Sequence, residues 1–226
     1  MTGEMMMFPI GTDKHAPAYL SLPPAGSGPA VVIIQEWWGL VGHIKDVADR
    51  LAAEGFVVLA PDLYHGASST EPDEARKLAM ALDRHRAIAE ITAAADYLRT
   101  LTSVDPKKVG IMGWCMGGAL ALSAAAHSGA FDAVVCFYGR PLEAGDAAKL
   151  RTPTLGIYGE LDTGIPLSLV QAFDAELEKA GTPHHIHTYA GAEHAFFNND
   201  RPEVYHPEAS ADAWQRTLAW LRQYLA

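Results

Sequence analysis

Six short runs, at residues 31–35, 56–60, 108–112, 133–138, 154–158 and 185–189, recur along this chain, most of them rich in β-branched residues. Each is bounded by Gly, Pro or Asp, and each reads as a strand; the near-continuously apolar ones read as buried on both faces. Between the runs the period changes. Ile88, Ile91, Ala95 and Leu98 share one helical face, as do Leu169, Phe173 and Leu177, and later Ala211, Trp214, Leu218 and Leu221. Parallel neighbours need crossover helices, and those crossovers are right-handed. The alternation therefore predicts an α/β chain: a mostly parallel central sheet with helices on both faces. Residues 18–22 are expected to add an antiparallel edge strand before the turn-rich PPAGSGPA. No repeat, low-complexity tract or linker interrupts the pattern, so residues 1–226 are read as a single domain.

In open parallel sheets, ligands gather at the carboxyl ends of the strands. The segments there are QEWWG, PDLYHG, GWCMGG, YGRP, YGELDTGIP and AGAEHAFFNND. Gly113-Trp114-Cys115-Met116-Gly117 joins a strand to the helical pattern at 119–126. It matches a nucleophile elbow with Cys where Ser is commoner. Glycines on either side let the neighbouring backbone pass, and the thiol sits at the positive end of a helix, which favours a thiolate. By itself the segment is equally a glycine-rich packing turn; the strand–turn–helix setting favours the elbow. A thiol needs a base and the base an orienter. His194 and Asp162 stand after later strands, and the order Cys115, Asp162, His194 is that of an α/β-hydrolase triad. Taken singly, Asp162 reads as a cap or turn residue and His194 as a loop histidine. Glu160 is a rival orienter, but it lies closer to the strand end and reads as a loop or helix-dipole contact. An oxyanion hole would use the backbone N–H of Met116 and a second N–H from the loop carrying Glu36 and Trp37.

Carrying QEWWGL, PDLYHG, GWCMGG, GELD and AEHAFFN, the chain resembles, over nearly its whole length, the dienelactone hydrolase family of α/β-hydrolases, also called carboxymethylenebutenolidases. The resemblance implies a triad of Cys115, His194 and Asp162, with the amides of Trp37 and Met116 as the oxyanion hole. It also implies that Glu36 holds the resting thiol and is displaced when substrate binds. Family members use arginines for the substrate carboxylate. One stands four residues after the histidine, where this chain has Asn198. For another, between PDLYHG and the next long helix, Arg76, Arg84 and Arg86 are candidates. Losing a charge-assisted contact at Asn198 makes neutral esters or lactones at least as good substrates as dienelactone. Trp38, Tyr64, Phe196, Phe197 and Asn198 are expected to line the cleft.

The expected activity is cysteine-dependent hydrolysis of small esters or lactones through a thioester acyl-enzyme, with no metal or organic cofactor. The alternatives are acyl transfer through the same thioester and a non-catalytic binding protein; an intact triad weighs against the latter. A net charge of −10 argues against nucleic acid, whose phosphates need clustered Lys and Arg. No apolar stretch approaches the ~18 residues of a membrane span. The N-terminus lacks the basic and apolar regions of a signal peptide. Two cysteines are too few for a disulfide framework, so a reducing, cytoplasmic setting is expected. HHIH at 184–187 offers two histidines on one strand face without a third ligand, and reads as a strand rather than a metal site. Cys136 reads as an inert buried thiol, and EPDEARK as a solvated helix start. The oligomeric state is open, with a monomer as the default.

Overall fold

A computed structural model describes residues 2–226. The chain opens with a hairpin of β1 (Glu4–Ile10) and β2 (Lys14–Ser21), turned at Gly11 in the left-handed region. There follow β3 (Gly28–Ile34), α1 (Gly42–Ala53), β4 (Val57–Pro61), α2 (Pro72–Ala81), α3 (Arg84–Thr100), β5 (Val104–Trp114) and α4 (Met116–Ser128). The remainder is β6 (Ala133–Phe137), a short α5 (Ala144–Ala147), β7 (Thr154–Gly159), α6 (Leu167–Ala180), β8 (His184–Tyr189) and α7 (Pro207–Leu225). The eight strands form one sheet in the order β1-β2-β4-β3-β5-β6-β7-β8. The β2 strand joins β4 antiparallel, and every pairing from β4 to β8 is parallel.

All six expected strands form, and residues 18–21 fall in an antiparallel strand as expected. The outermost position, however, belongs to β1. Its sequence, EMMMFPI, hides it: methionine carries little strand preference, and Pro9 removes a ladder donor, which only an outer strand or a strand end tolerates. The α1 helix was also legible but unread, since Ile44, Val47, Ala48 and Leu51 repeat at helical spacing and all are buried.

Helices cover both faces, which explains the continuous apolar runs. Val32, Ile34, Leu59 and Ile111 point to one side, against Ile91 and Leu98 of α3 and Leu120 of α4. Val31, Ile33, Val58 and Met112 point to the other, against Ile44, Val47 and Leu51 of α1 and Leu218 and Leu221 of α7. No helix among the described residues is long and apolar enough to cross a membrane.

The α4 helix sits unusually close to the sheet. A Cβ on Gly117 would lie 2.4 Å from the carbonyl oxygens of Gln35 and Ile34, and one on Gly113 would lie 2.3 Å from that of Gly117. These contacts are backbone, so no flexible side chain can yield. Gly117→Ala is therefore expected to destabilise the fold by about 1–3 kcal/mol. Urea unfolding checks this; an unmoved midpoint would show that the elbow can relax.

Candidate active site

Between β5 and α4 the backbone turns at a single residue. Cys115 has φ 54° and ψ −117°, a region L-residues seldom occupy, at a cost of about 1–3 kcal/mol. Hydrogen bonds hold it there: its N–H donates to Phe137 O at 3.0 Å, and its carbonyl accepts from Ala119 N–H at 3.2 Å. The other non-glycine residues with positive φ are His65, Tyr138 and Ala195. Each lies in a loop beyond a strand's carboxyl end, so the strained backbone clusters at one end of the sheet.

His194, in the loop after β8, and Asp162, in the loop after β7, meet at 2.6 Å between Nδ1 and Oδ2. Asp162 Oδ1 accepts from the N–H groups of Gly164 at 2.8 Å and Ile165 at 2.9 Å. Burial disfavours the carboxylate's charge, yet these bonds, with His194, hold its pKa below the usual value. Burial likewise opposes charge on the imidazole. Hydrogen bonds to Asp162 and Cys115, and the negative charges of both, outweigh it and push His194 up to about 10. Glu160 turns away and accepts from Gly191 N–H at 3.2 Å. The geometry thus brings Cys115, His194 and Asp162 together and leaves Glu160 outside.

Glu36, which follows Gln35 just beyond the end of β3, is 1% exposed. Its Oε2 accepts from Asn198 Nδ2 at 2.7 Å and its Oε1 from the Tyr138 hydroxyl at 3.3 Å. Burial raises its pKa, against the pull of nearby His43 and of the two donors. Among the described residues, no backbone or side-chain acceptor takes the amide of Trp37 or Met116. Two chambers meet at Cys115, Trp37 and His194. The larger, about 290 Å³, is lined by Leu82, Arg84, Ile88, Met116, Arg140 and Ile165. The smaller, about 260 Å³, adds Glu36, Trp38, Ala195 and Arg201.

Several expected pocket residues lie elsewhere. Phe196 and Phe197 are not in the cleft. Ala195, at φ 64°, turns the chain inward, and both rings pack into the core, Phe197 against Trp114, Phe137 and Trp214 and Phe196 edge-on to Tyr138. Asn198 is buried against Glu36, lining neither chamber. Tyr64 lines neither chamber, and its hydroxyl lies 3.4 Å from Met116 Sδ. Trp38 does line the smaller chamber. HHIH forms edge strand β8, where His187 packs on Tyr189 and pairs with Asp212 at 3.9 Å. Burial pushes the Cys136 thiol up to about 12. Of the candidate arginines, Arg76 faces Asp73 and Arg86 faces Glu90, so Arg84 alone reaches the cavity. Arg140, in the strand-end segment YGRP, also lines the larger chamber. Nothing local in the sequence marks Tyr138, His43 or Arg201 as site residues.

The family model of the dienelactone hydrolase family matches residues 16–225. "Protein usf" of Aquifex pyrophilus is 37% identical over 231 residues, spanning 99% of each chain. A "Putative carboxymethylenebutenolidase" of Aquifex aeolicus (strain VF5) is 35% identical, covering 89% of this chain and 91% of its own. Among solved structures, a "Putative Dienelactone Hydrolase" from Klebsiella pneumoniae subsp. pneumoniae superposes with a TM-score of 0.88 at 30% identity, covering 99% and 100% of the two chains. The fold is that of the α/β-hydrolases.

The lowered Asp162 carboxyl links stability to pH. Its contribution is present above the ordinary carboxylate value and is lost as pH falls through the lowered one, below about pH 4. Asp162→Asn should therefore lose less stability than wild type between pH 7 and pH 3. Urea unfolding at both values checks this, and equal losses would refute it.

Proposed function

The chain belongs to the dienelactone hydrolase family and is an esterase-type hydrolase, and we propose that it cleaves small esters or lactones through a thioester on Cys115. In this mechanism His194 holds the thiol proton as an imidazolium and Asp162 fixes the ring. The thiolate attacks the acyl carbon, and the amides of Trp37 and Met116 receive the developing oxyanion. His194 then protonates the departing alkoxide. Water, deprotonated by His194, attacks the thioester; the tetrahedral intermediate collapses and expels the thiolate. The 2.6 Å contact between His194 Nδ1 and Asp162 Oδ2, beside a strained cysteine at a helix N-terminus, carries this reading.

Arg84 and Arg140 suggest the substrate class. The chain has a net charge of −10, yet both guanidinium groups line the chamber with Cys115, without a carboxylate partner among the described residues. Leu82, Ile88, Met116 and Ile165 supply an apolar wall. A short apolar acyl group or lactone bearing a carboxylate satisfies both features. This reading favours carboxylate-bearing substrates, whereas the expectation drawn from Asn198 made neutral esters at least as good; the two cations line the chamber that Glu36 and Asn198 do not. A charge-assisted pair adds about 1.5–3 kcal/mol, or roughly tenfold to hundredfold, with these exposed arginines at the lower end.

Cys115→Ala should abolish ester hydrolysis, and mass spectrometry should find the trapped acyl group on Cys115 rather than Cys136. A variant that keeps the wild-type rate refutes the nucleophile. Asp162→Asn should lower kcat by about 10²–10⁴ through the wrong imidazole tautomer. Carboxylate-bearing esters should exceed neutral isosteres in kcat/KM by about tenfold. Arg140→Gln should shrink that ratio; an unchanged ratio removes Arg140 from recognition.

A further inference from the structure

Glu36 and Cys115 line one small chamber, yet the carboxylate is engaged elsewhere. Its two oxygens face donors from two different loops, Asn198 after β8 and Tyr138 after β6. Neither donor can swing freely. Asn198 Oδ1 accepts from Asp200 N–H at 3.0 Å, and its own N–H donates to Ala195 O at 2.9 Å. Flipping the amide would set NH₂ against the Asp200 N–H and the amide oxygen against the carboxylate. The orientation that donates to Glu36 is therefore the one the turn enforces. Tyr138 is fully buried, with its N–H on Ile157 O at 2.7 Å and its ring edge-on to His194 and Phe196.

We propose that Asn198, together with Tyr138, is a positioning residue that holds Glu36 off Cys115, so that the thiol pairs with His194 before any substrate arrives. The proposal rests on Cys115 as the nucleophile. It departs from the resting state that the family resemblance implies, in which Glu36 holds the thiol until displaced. Asn198 is neutral, so an incoming anion has no ion pair to exchange with. Acylation then needs no substrate carboxylate as a trigger, and the thiol stays open to alkylation and oxidation in the free enzyme.

The groups that can influence the thiol are the acids Glu36 and Asp162, the bases His194 and His43, and the phenols Tyr64 and Tyr138. Arg84, Arg140 and Arg201 line the chambers, and Cys136 lies beneath. Alkylation of Cys115 by iodoacetamide, followed by peptide mass spectrometry on the folded full-length chain, isolates the Glu36 contribution.

Glu36→Gln should alkylate within about twofold of wild type, because the carboxylate is already withheld. Asn198→Ala should alkylate about five- to tenfold more slowly at pH 7, with its profile moved to higher pH, because the freed carboxylate accepts the S–H. The double variant Glu36→Gln/Asn198→Ala should regain the wild-type rate. The proposal is overturned if folded Asn198→Ala alkylates like wild type, if Glu36→Gln alone is several-fold faster, or if the double variant stays slow. Should Asn198→Ala not fold, Tyr138→Phe removes the other bond and carries the same test: slowing supports the clamp and an unchanged rate overturns it. These readouts follow the thiol itself. Retained turnover in Cys115→Ala would instead defeat the nucleophile assignment, so the two failures are distinguishable.

Discussion

The site depends on backbone meeting backbone where α4 leaves the sheet. Gly117 lies against the carbonyls of Ile34 and Gln35, and Gly139 is nearly as close: a Cβ on Gly139 would sit 2.5 Å from Ala119 N. That approach brings the start of α4 beside the loop after β3. Met116 and Trp37 thereby line one chamber, though about eighty residues apart in the chain. It also leaves Cys115 no ordinary conformation. The strain is carried by the bond from its N–H to Phe137 O and by the β3, β5 and β6 pairings on either side. A Cβ at the glycines would move the carbonyls that place the loop after β3, so stability and site geometry share one cause.

Two carboxylates stand near the thiol, and their surroundings treat them oppositely. Asp162 is buried but receives two backbone N–H bonds and an imidazole, and its charge is stabilised. Glu36 is buried with one amide and one phenol, both neutral donors, and burial wins. Environments that drive two acids apart mark division of labour. Asp162 is the one bonded to His194, the base of the proposed mechanism. Under the clamp proposed above, Glu36 stays out of the thiol's chemistry as long as its two donors hold.

Much of this was legible in the sequence, for a definable reason. Strand-buried runs, helix faces and the chain order of Cys115, Asp162 and His194 are patterns in one dimension, and the parallel-sheet rule places the following loops at one end. Direction within a loop is another matter. AEHAFFN gives no sign that Ala195 takes a left-handed conformation, yet that single φ sends Phe196 and Phe197 into the core and Asn198 toward Glu36. Arg140 lay in an expected strand-end segment, but only the fold brings it and Arg84 to one chamber. Pro9 and the methionines conceal β1 because an outer strand need not satisfy the rules that made the others visible.

The exchange of residues around Glu36 also bears on how the substrate's charge is read. An arginine at 198 would combine two tasks, since its cation would sit by Glu36 and also attract a substrate carboxylate; each anion would compete for it. Asn198 can perform only the first, and it does so with a bond no anion displaces on charge alone. On the proposed reading, recognition of a carboxylate falls to Arg84 and Arg140, which line the chamber that Glu36 does not. Separating the tasks removes the coupling between substrate charge and thiol state. In the proposed mechanism, anionic groups on the substrate affect how well it binds, while the readiness of the thiol is set by His194 and by the clamp on Glu36.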